Sequence, residues 1–176
     1  MTELIFRNAT HDDVDVIVVL VQSAYRGDAS RAGWTTEADI LDGQRIDASM
    51  LEAMLANPAA TFLLGERDGK LIACCELQHK GDAAYFGMFS VVPAEQGSGI
   101  GKVVLAEAER IVRDQWQCSR LEMTVIDVRD ALIAWYERRG YSRTGLHSPF
   151  PYGDPRFGVP LRDDLRFETL RKTFLR

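Results

Sequence analysis

Positive charge is in short supply here: 21 lysines and arginines stand against 26 aspartates and glutamates, a net charge of −5 over 176 residues. There is no basic field to grip a polyanion, which argues against nucleic acid as a direct ligand. Cysteine is sparse too. Cys74, Cys75 and Cys118 have no metal-ligand spacing, so no metal site is expected from them. The adjacent pair lies inside an apolar run, where it reads as small core residues of a reducing compartment. The segment from Met1 to Thr10 lacks a basic stretch followed by an apolar one, so no signal peptide is expected. The apolar run from Val14 to Val21 is broken by Asp15 and is too short to span a bilayer. Cytoplasmic is therefore the expected location, with no membrane partner. Repeats, low-complexity tracts and a linker are missing as well, and the length suits one domain over 1–176.

What is present is ordinary for a globular chain: 46% hydrophobic and 27% charged residues. Leu4-Ile5-Phe6 reads as a short strand, and Thr10 with Asp13 as a helix cap. Val14, Ile17, Val21 and Ala24 recur at helical spacing, so a first helix runs to about Tyr25. Residues 28–44 are polar and weakly periodic, a loop or short irregular helix. Asp47 caps a second helix that stops before Pro58. Thr61-Phe62-Leu63-Leu64 and Leu71-Ile72-Ala73-Cys74-Cys75 flank Asp68-Gly69, a strong hairpin signal. A third strand runs from Tyr85 to Val92, giving an antiparallel meander. A helix with Val104, Leu105, Ala108, Ile111 and Val112 on one face follows. Then come a strand at Leu121–Ile126, a helix from about Asp130 to Arg139 closed by Gly140, a strand near Ser142–Leu146, a Pro/Gly-rich loop, and a last strand near Leu165–Thr173. The pattern indicates an α/β (α+β) fold with a mixed, mostly antiparallel sheet flanked by helices.

Between the meander and the central helix lies Gln96-Gly97-Ser98-Gly99-Ile100-Gly101-Lys102. A strand, a glycine-rich turn and a helix start form an anion site, because the first helical N–H groups lack intrahelical partners. Glycine lets that backbone approach a phosphate closely. A tight connection with no ligand also accounts for Gly99 and Gly101 taken alone. A Walker A loop would need glycine at Gln96 and a hydroxyl residue at Val103. A dinucleotide fingerprint would need glycine at Lys102 and a position after the first strand. Both are excluded on spacing.

Val91-x-Pro93 followed by the Gln96–Lys102 loop resembles the acetyl-CoA signature of the GNAT superfamily, V-x-P-x-x-Q/R-G-x-G-I/L-G. Trp135-Tyr136-Glu137-Arg138-Arg139-Gly140-Tyr141 resembles that family's second hallmark, an aromatic-Tyr pair leading to a basic residue and Gly-Phe/Tyr. The order of elements matches the family plan across nearly the whole chain. The resemblance implies an acyl-CoA N-acyltransferase fold and acetyl-CoA as co-substrate, with no metal. It implies acetyl transfer to a primary amine of a small molecule or peptide, by direct attack in a ternary complex. It further implies that Phe89 and Val91 pair with the pantetheine arm, while Gln96, Gly97, Ser98, Gly99, Ile100, Gly101 and Lys102 hold the pyrophosphate. Tyr136 would lie by the cofactor sulfur as a phenolic proton donor, the catalytic residue. Where many members carry asparagine seven positions before this tyrosine, the chain has Arg129, which either pairs with a cofactor phosphate or faces solvent.

The general base is left open between Glu76, Glu122 and a water chain; His79 and His147 sit beside turn signals. Family acceptor sites map to 25–45 and 149–160 here. Trp34, Glu37, Asp39 and Asp42 in the first, with Phe150, Tyr152, Arg156 and Phe157 in the second, would suit a small cationic amine. Two further readings stand beside the enzyme: an idle acyl-CoA-binding regulatory module, and an acetyltransferase for a protein N-terminus or lysine. A homodimer through the apolar strand near 167–174 is one option, and burial of that strand within the monomer is the other.

Overall fold

The structure, a computed structural model, describes residues 3–174, so the outermost two residues at each end of the expected 1–176 unit lie outside it. The chain begins with β1 (Ile5–Asn8). A capping box follows, in which the Thr10 and Asp13 side chains each bond the other's backbone, and it opens α1 (Val14–Tyr25). Next come α2 (Gly27–Ser30), β2 (Leu41–Asp42) and α3 (Ala48–Ala56), the last capped by the Asp47 carboxylate accepting from Met50 N–H at 2.8 Å. The meander is β3 (Ala60–Arg67), β4 (Lys70–Lys80) and β5 (Ala83–Val91). Its first turn holds Asp68 and Gly69 at φ 54° and 76°, the paired left-handed conformation that a two-residue hairpin requires. The remainder is α4 (Ile100–Arg110), β6 (Arg120–Ile126), α5 (Asp130–Glu137), β7 (Ser142–Pro149), β8 (Val159–Pro160) and β9 (Arg166–Thr173).

Seven strands form one sheet in the order β1-β3-β4-β5-β6-β9-β7, antiparallel except where β5 meets β6. Because successive strand residues point to opposite faces, β4 feeds two cores. Ala73, Cys75 and Leu77 face the α4 side with Val104, Leu105 and Ala108. Cys74 faces the other side, with Ile17, Val21, Leu51, Phe62 and Leu64 around α1 and α3. Burying each large side chain here contributes roughly 1.5–3 kcal/mol. All three cysteines are buried.

Two features open the sheet. At a bulge, the single Cys75 of β4 spans the stretch between the Cys74–Ser90 and Glu76–Gly87 pairs, and Met88 on β5 takes φ 50°. The β5–β6 ladder covers only Ala83–Tyr85 against Arg120–Glu122. Beyond it the two strands have no paired register, and a gap lies between their C-terminal halves. Separately, β2 and β8 form a two-stranded ribbon that ties 41–42 to 159–160. The C-terminal strand is not a free edge: β9 is bonded to β6 on one side and β7 on the other. Its apolar residues belong to this monomer's sheet, which removes it as a dimer edge.

Candidate active site

From Val91 the chain makes one tight turn at Pro93–Glu95 and then crosses the glycine loop. Gly97 and Gly99 sit at φ 83° and 91°, and Gly99 is the N-cap of α4 with no side chain to satisfy the helix start. The first-turn amides of α4 are thus left for an outside acceptor, at the positive end of the helix dipole. A Cβ on Gly101 would lie 3.3 Å from the rings of both Phe89 and Trp135, so only glycine lets the helix start lie against those rings without displacement. Gln96 Nε2 donates to the Val91 carbonyl at 3.2 Å, and its side chain packs over Gly33.

A cavity of about 280 Å³ runs along this loop, lined by Phe89, Val91, Gln96, Gly97, Gly99, Gly101, Lys102, Arg129 and Tyr136 among the residues expected from sequence. Ser98 and Ile100 do not line it: the Ser98 hydroxyl donates back to the Glu95 carbonyl, and Ile100 is core. Trp34, Trp135 and Arg139 complete the wall. The Arg139 guanidinium lies 3.7 Å over the Trp135 ring and donates to the Trp135 carbonyl at 2.6 Å.

A second cavity, of about 320 Å³, occupies the gap between β5 and β6 and is bounded on one side by Phe150, Pro151 and Phe157. Tyr25, Phe89, Arg129, Leu132 and Tyr136 line both cavities and form the neck between them. Tyr136 is 4% exposed, its ring set between Trp135 and Tyr141. Burial pushes its phenol well above the ordinary tyrosine range, so it stays protonated.

The charges of the second cavity differ from expectation. Glu37 lies buried between two arginines: Oε1 accepts from Arg26 Nε and Nη2 at 3.1 and 3.0 Å, and Oε2 from Arg129 Nη1 at 3.0 Å. Arg26 also donates to the Gln44 carbonyl at 2.7 Å, passing Gly158, where a Cβ would overlap the guanidinium. Arg129 donates to Thr35 Oγ1 at 2.6 Å, and its side chain is 10% exposed, so it does not face solvent. The expected acidic lure for a cationic amine is absent from this cavity. Glu37 is consumed by arginines, Asp39 pairs with Arg31, and neither Asp39 nor Asp42 lines the space. Phe150 and Phe157 do line it; Tyr152 and Arg156 do not.

Of the two candidate bases, Glu76 lines the second cavity and is 3% exposed. Desolvation raises its carboxyl above the ordinary range, against the opposing Gln78 hydrogen bond and the charges of Arg45 and Lys80. Glu122 lines neither cavity. Desolvation pushes its carboxyl up, but hydrogen bonds from Arg120 and Arg171 outweigh that and hold it low. His79 is stacked on Trp116, and His147 lies near Asp127 and Glu168. The expected acceptor segment 25–45 contained Tyr25, Arg26 and Arg45 without singling them out as cavity residues; Arg26 follows the end of α1 and Arg45 follows the Gly43 turn, where charge ordinarily reads as solvated. Among the described residues no group of three or more His, Cys, Asp or Glu side chains is placed to hold a metal ion, and no helix is long and apolar enough to cross a membrane.

Residues 21–141 match the family model described as "Acetyltransferase (GNAT) family". The chain is similar to S-alkylcysteine N-acetyltransferase of Bacillus subtilis (strain 168), 27% identical over 151 residues covering 80% of each protein. Its fold resembles that of ribosomal-protein-alanine N-acetyltransferase from Brucella melitensis (TM-score 0.70, 19% identity, 97% of this chain and 100% of that one). It also resembles PaiA N-acetyltransferase from Thermoplasma acidophilum in complex with coenzyme A (TM-score 0.66, 17% identity, 97% and 99%).

Proposed function

The chain belongs to the acetyltransferase (GNAT) family, and from that premise we propose that it moves an acetyl group from acetyl-CoA to the amine of a small molecule, the two substrates meeting at Tyr136. The observation that carries this reading is the neck: two phenols, Tyr25 and Tyr136, line both the loop cavity and the cavity beyond it, and Tyr136 is the more deeply buried of the two. The loop fits a diphosphate because its uncapped helix start, two left-handed glycines and Lys102 supply amides and one cation where a side chain would intrude. Acetyl-CoA, when bound, brings an acetyl group activated as a thioester and a thiol as leaving group.

The chain's own residues then have three tasks. Glu76, its affinity for protons raised by burial, takes the proton from the acceptor amine, leaving a neutral nucleophile. Tyr136 Oη keeps its proton available for the departing sulfur, since burial disfavours the phenolate. Gln96, through the Val91 carbonyl and the segment packed on Gly33, holds the loop against the cavity wall. Direct attack fits better than a relay through the protein, because no cysteine lines either cavity. The relative named for an S-alkylcysteine supports a small acceptor, as does the second cavity's volume of about 320 Å³.

Calorimetry with coenzyme A and acetyl-CoA tests the loop; no heat with either refutes the reading. Thiol release with an amine panel separates the enzyme from an idle binding module. Tyr136→Phe is expected to lower kcat by about 10²-fold with cofactor affinity retained. Turnover within a few-fold of wild type removes Tyr136 as the proton donor.

A further inference from the structure

Three arginines line the second cavity, and two of them are spent on one carboxylate. Arg26 and Arg129 both pair with Glu37. Arg45 is different. Among the described residues its guanidinium forms no hydrogen bond and no ion pair, although it lines the cavity and is only partly exposed. It is nevertheless held in place. Its backbone N–H donates to Gln22 Oε1 at 2.8 Å, while Gln22 Nε2 donates to the Gly43 carbonyl at 3.1 Å, fixing the turn to α1. The guanidinium sits 5.1 Å from the centroid of the Tyr25 ring, and Tyr25 lines both cavities. A cation resting on the Tyr25 ring and facing the field of Glu76, its hydrogen-bond donors without a partner among the described residues, therefore stands beside the neck where the amine must arrive.

Glu76, Tyr85 and Thr124 also line the cavity, and much of the remaining wall is apolar and adaptable, with Met54, Met88, Met123, Phe86, Phe150 and Phe167. Methionine thioethers fill irregular space and make favourable contacts with aromatic rings. We propose that the acceptor is an α-amino acid with an apolar side chain, its carboxylate held by Arg45 and its side chain received by the methionine–phenylalanine wall. The α-carboxylate is one bond from the carbon bearing the amine, so a cation at the neck anchors the group next to the nucleophile. A polyamine meets no free carboxylate other than Glu76 and is disfavoured by the positive excess. This inference rests on the neck being the point of transfer.

The test follows thiol release from acetyl-CoA with methionine and phenylalanine, their carboxamides, the matching decarboxylated amines and spermidine. Wild type is expected to prefer the amino acids over the carboxylate-free amines by ~10- to 100-fold in kcat/KM, the range for a hydrogen bond to a charged group. Arg45→Gln is expected to shrink that preference towards unity by raising KM for the amino acids, and Arg45→Lys to restore part of it. Equal use of amino acid and amine by wild type, preference for spermidine, or preserved discrimination in Arg45→Gln overturns the inference while leaving acetyl transfer intact. Coenzyme A binding without turnover of any acceptor also overturns it. Absence of coenzyme A binding overturns the transfer reading itself, and this inference with it.

Discussion

The two cavities that meet at Tyr136 are built by opposite means. The loop cavity takes its uncapped backbone amides and Lys102 from one continuous stretch, 96–102, set against side chains of α1, residues 34–35, β5 and α5. The second cavity is assembled from side chains of α1, the 26–45 segment, α3, four strands (β4, β5, β6 and β9), α5 and Phe150, Pro151 and Phe157, and buried ion pairs run through its wall. Amides exposed by glycine ask little of the surroundings beyond the right φ. Buried ions must find partners, or the desolvation cost goes unanswered. On the proposed reading, an acidic chain would receive an anion on one side of the neck and keep arginines on the other without either demanding a basic surface.

Glu37→Ala breaks this contrast most strongly. It strands two guanidiniums in the acceptor wall, and a loss of about 3–5 kcal/mol is expected in urea unfolding, the range for removing one partner of a buried pair. Unchanged stability would mean that the charges do not organise the wall. Glu76→Gln comes next, with a fall in kcat of about 10²-fold. Because its carboxyl is raised by burial, the acid limb of the wild-type rate profile should lie above the ordinary carboxylate range and vanish in the variant. A raised carboxyl favours the folded protein while protonated, and that contribution is lost as pH rises through the folded value. Thermal unfolding should accordingly show Glu76→Gln gaining on wild type at neutral pH and losing the advantage in acid. Smallest is Gly99→Ala, which forces a side chain to φ 91° at a cost of about 1–2 kcal/mol. Its signature is weaker coenzyme A binding in calorimetry with acceptor KM unaltered; equal effects on both would erase the distinction between the two sides.

The contrast also separates what sequence reveals from what it conceals. Asp68-Gly69, the Thr10 cap, the glycine loop and the Trp135–Tyr141 segment are local instructions, and each is found in the structure where its spacing places it. Arg26 carries no such mark. Directly after a helix it reads as a solvated charge, yet its guanidinium reaches the carbonyl of Phe157, 131 residues away. Arg129 offered two readings, cofactor phosphate or solvent; its guanidinium is turned away from solvent, bonded to Glu37 and Thr35 of a distant segment while still lining the loop cavity. The Met88 bulge is hidden for a related reason: positive φ at a methionine opposes local preference and is imposed by the register of its neighbours. The position of β9 between β6 and β7 is likewise a matter of topology, which an apolar strand pattern alone leaves undetermined.

The short β5–β6 joint has a mechanical meaning. Four strands stand on one side of it and three on the other, and the ladder between them is three residue pairs long, with the Ser119–Asp82 and Tyr85–Thr124 bonds beside it. A molecule lodged in the opening between those strands acts as a keystone, bracing leaf against leaf. Its binding energy is then drawn into the cohesion of the whole sheet, so that a filled opening is expected to slow amide exchange on both sides of the joint.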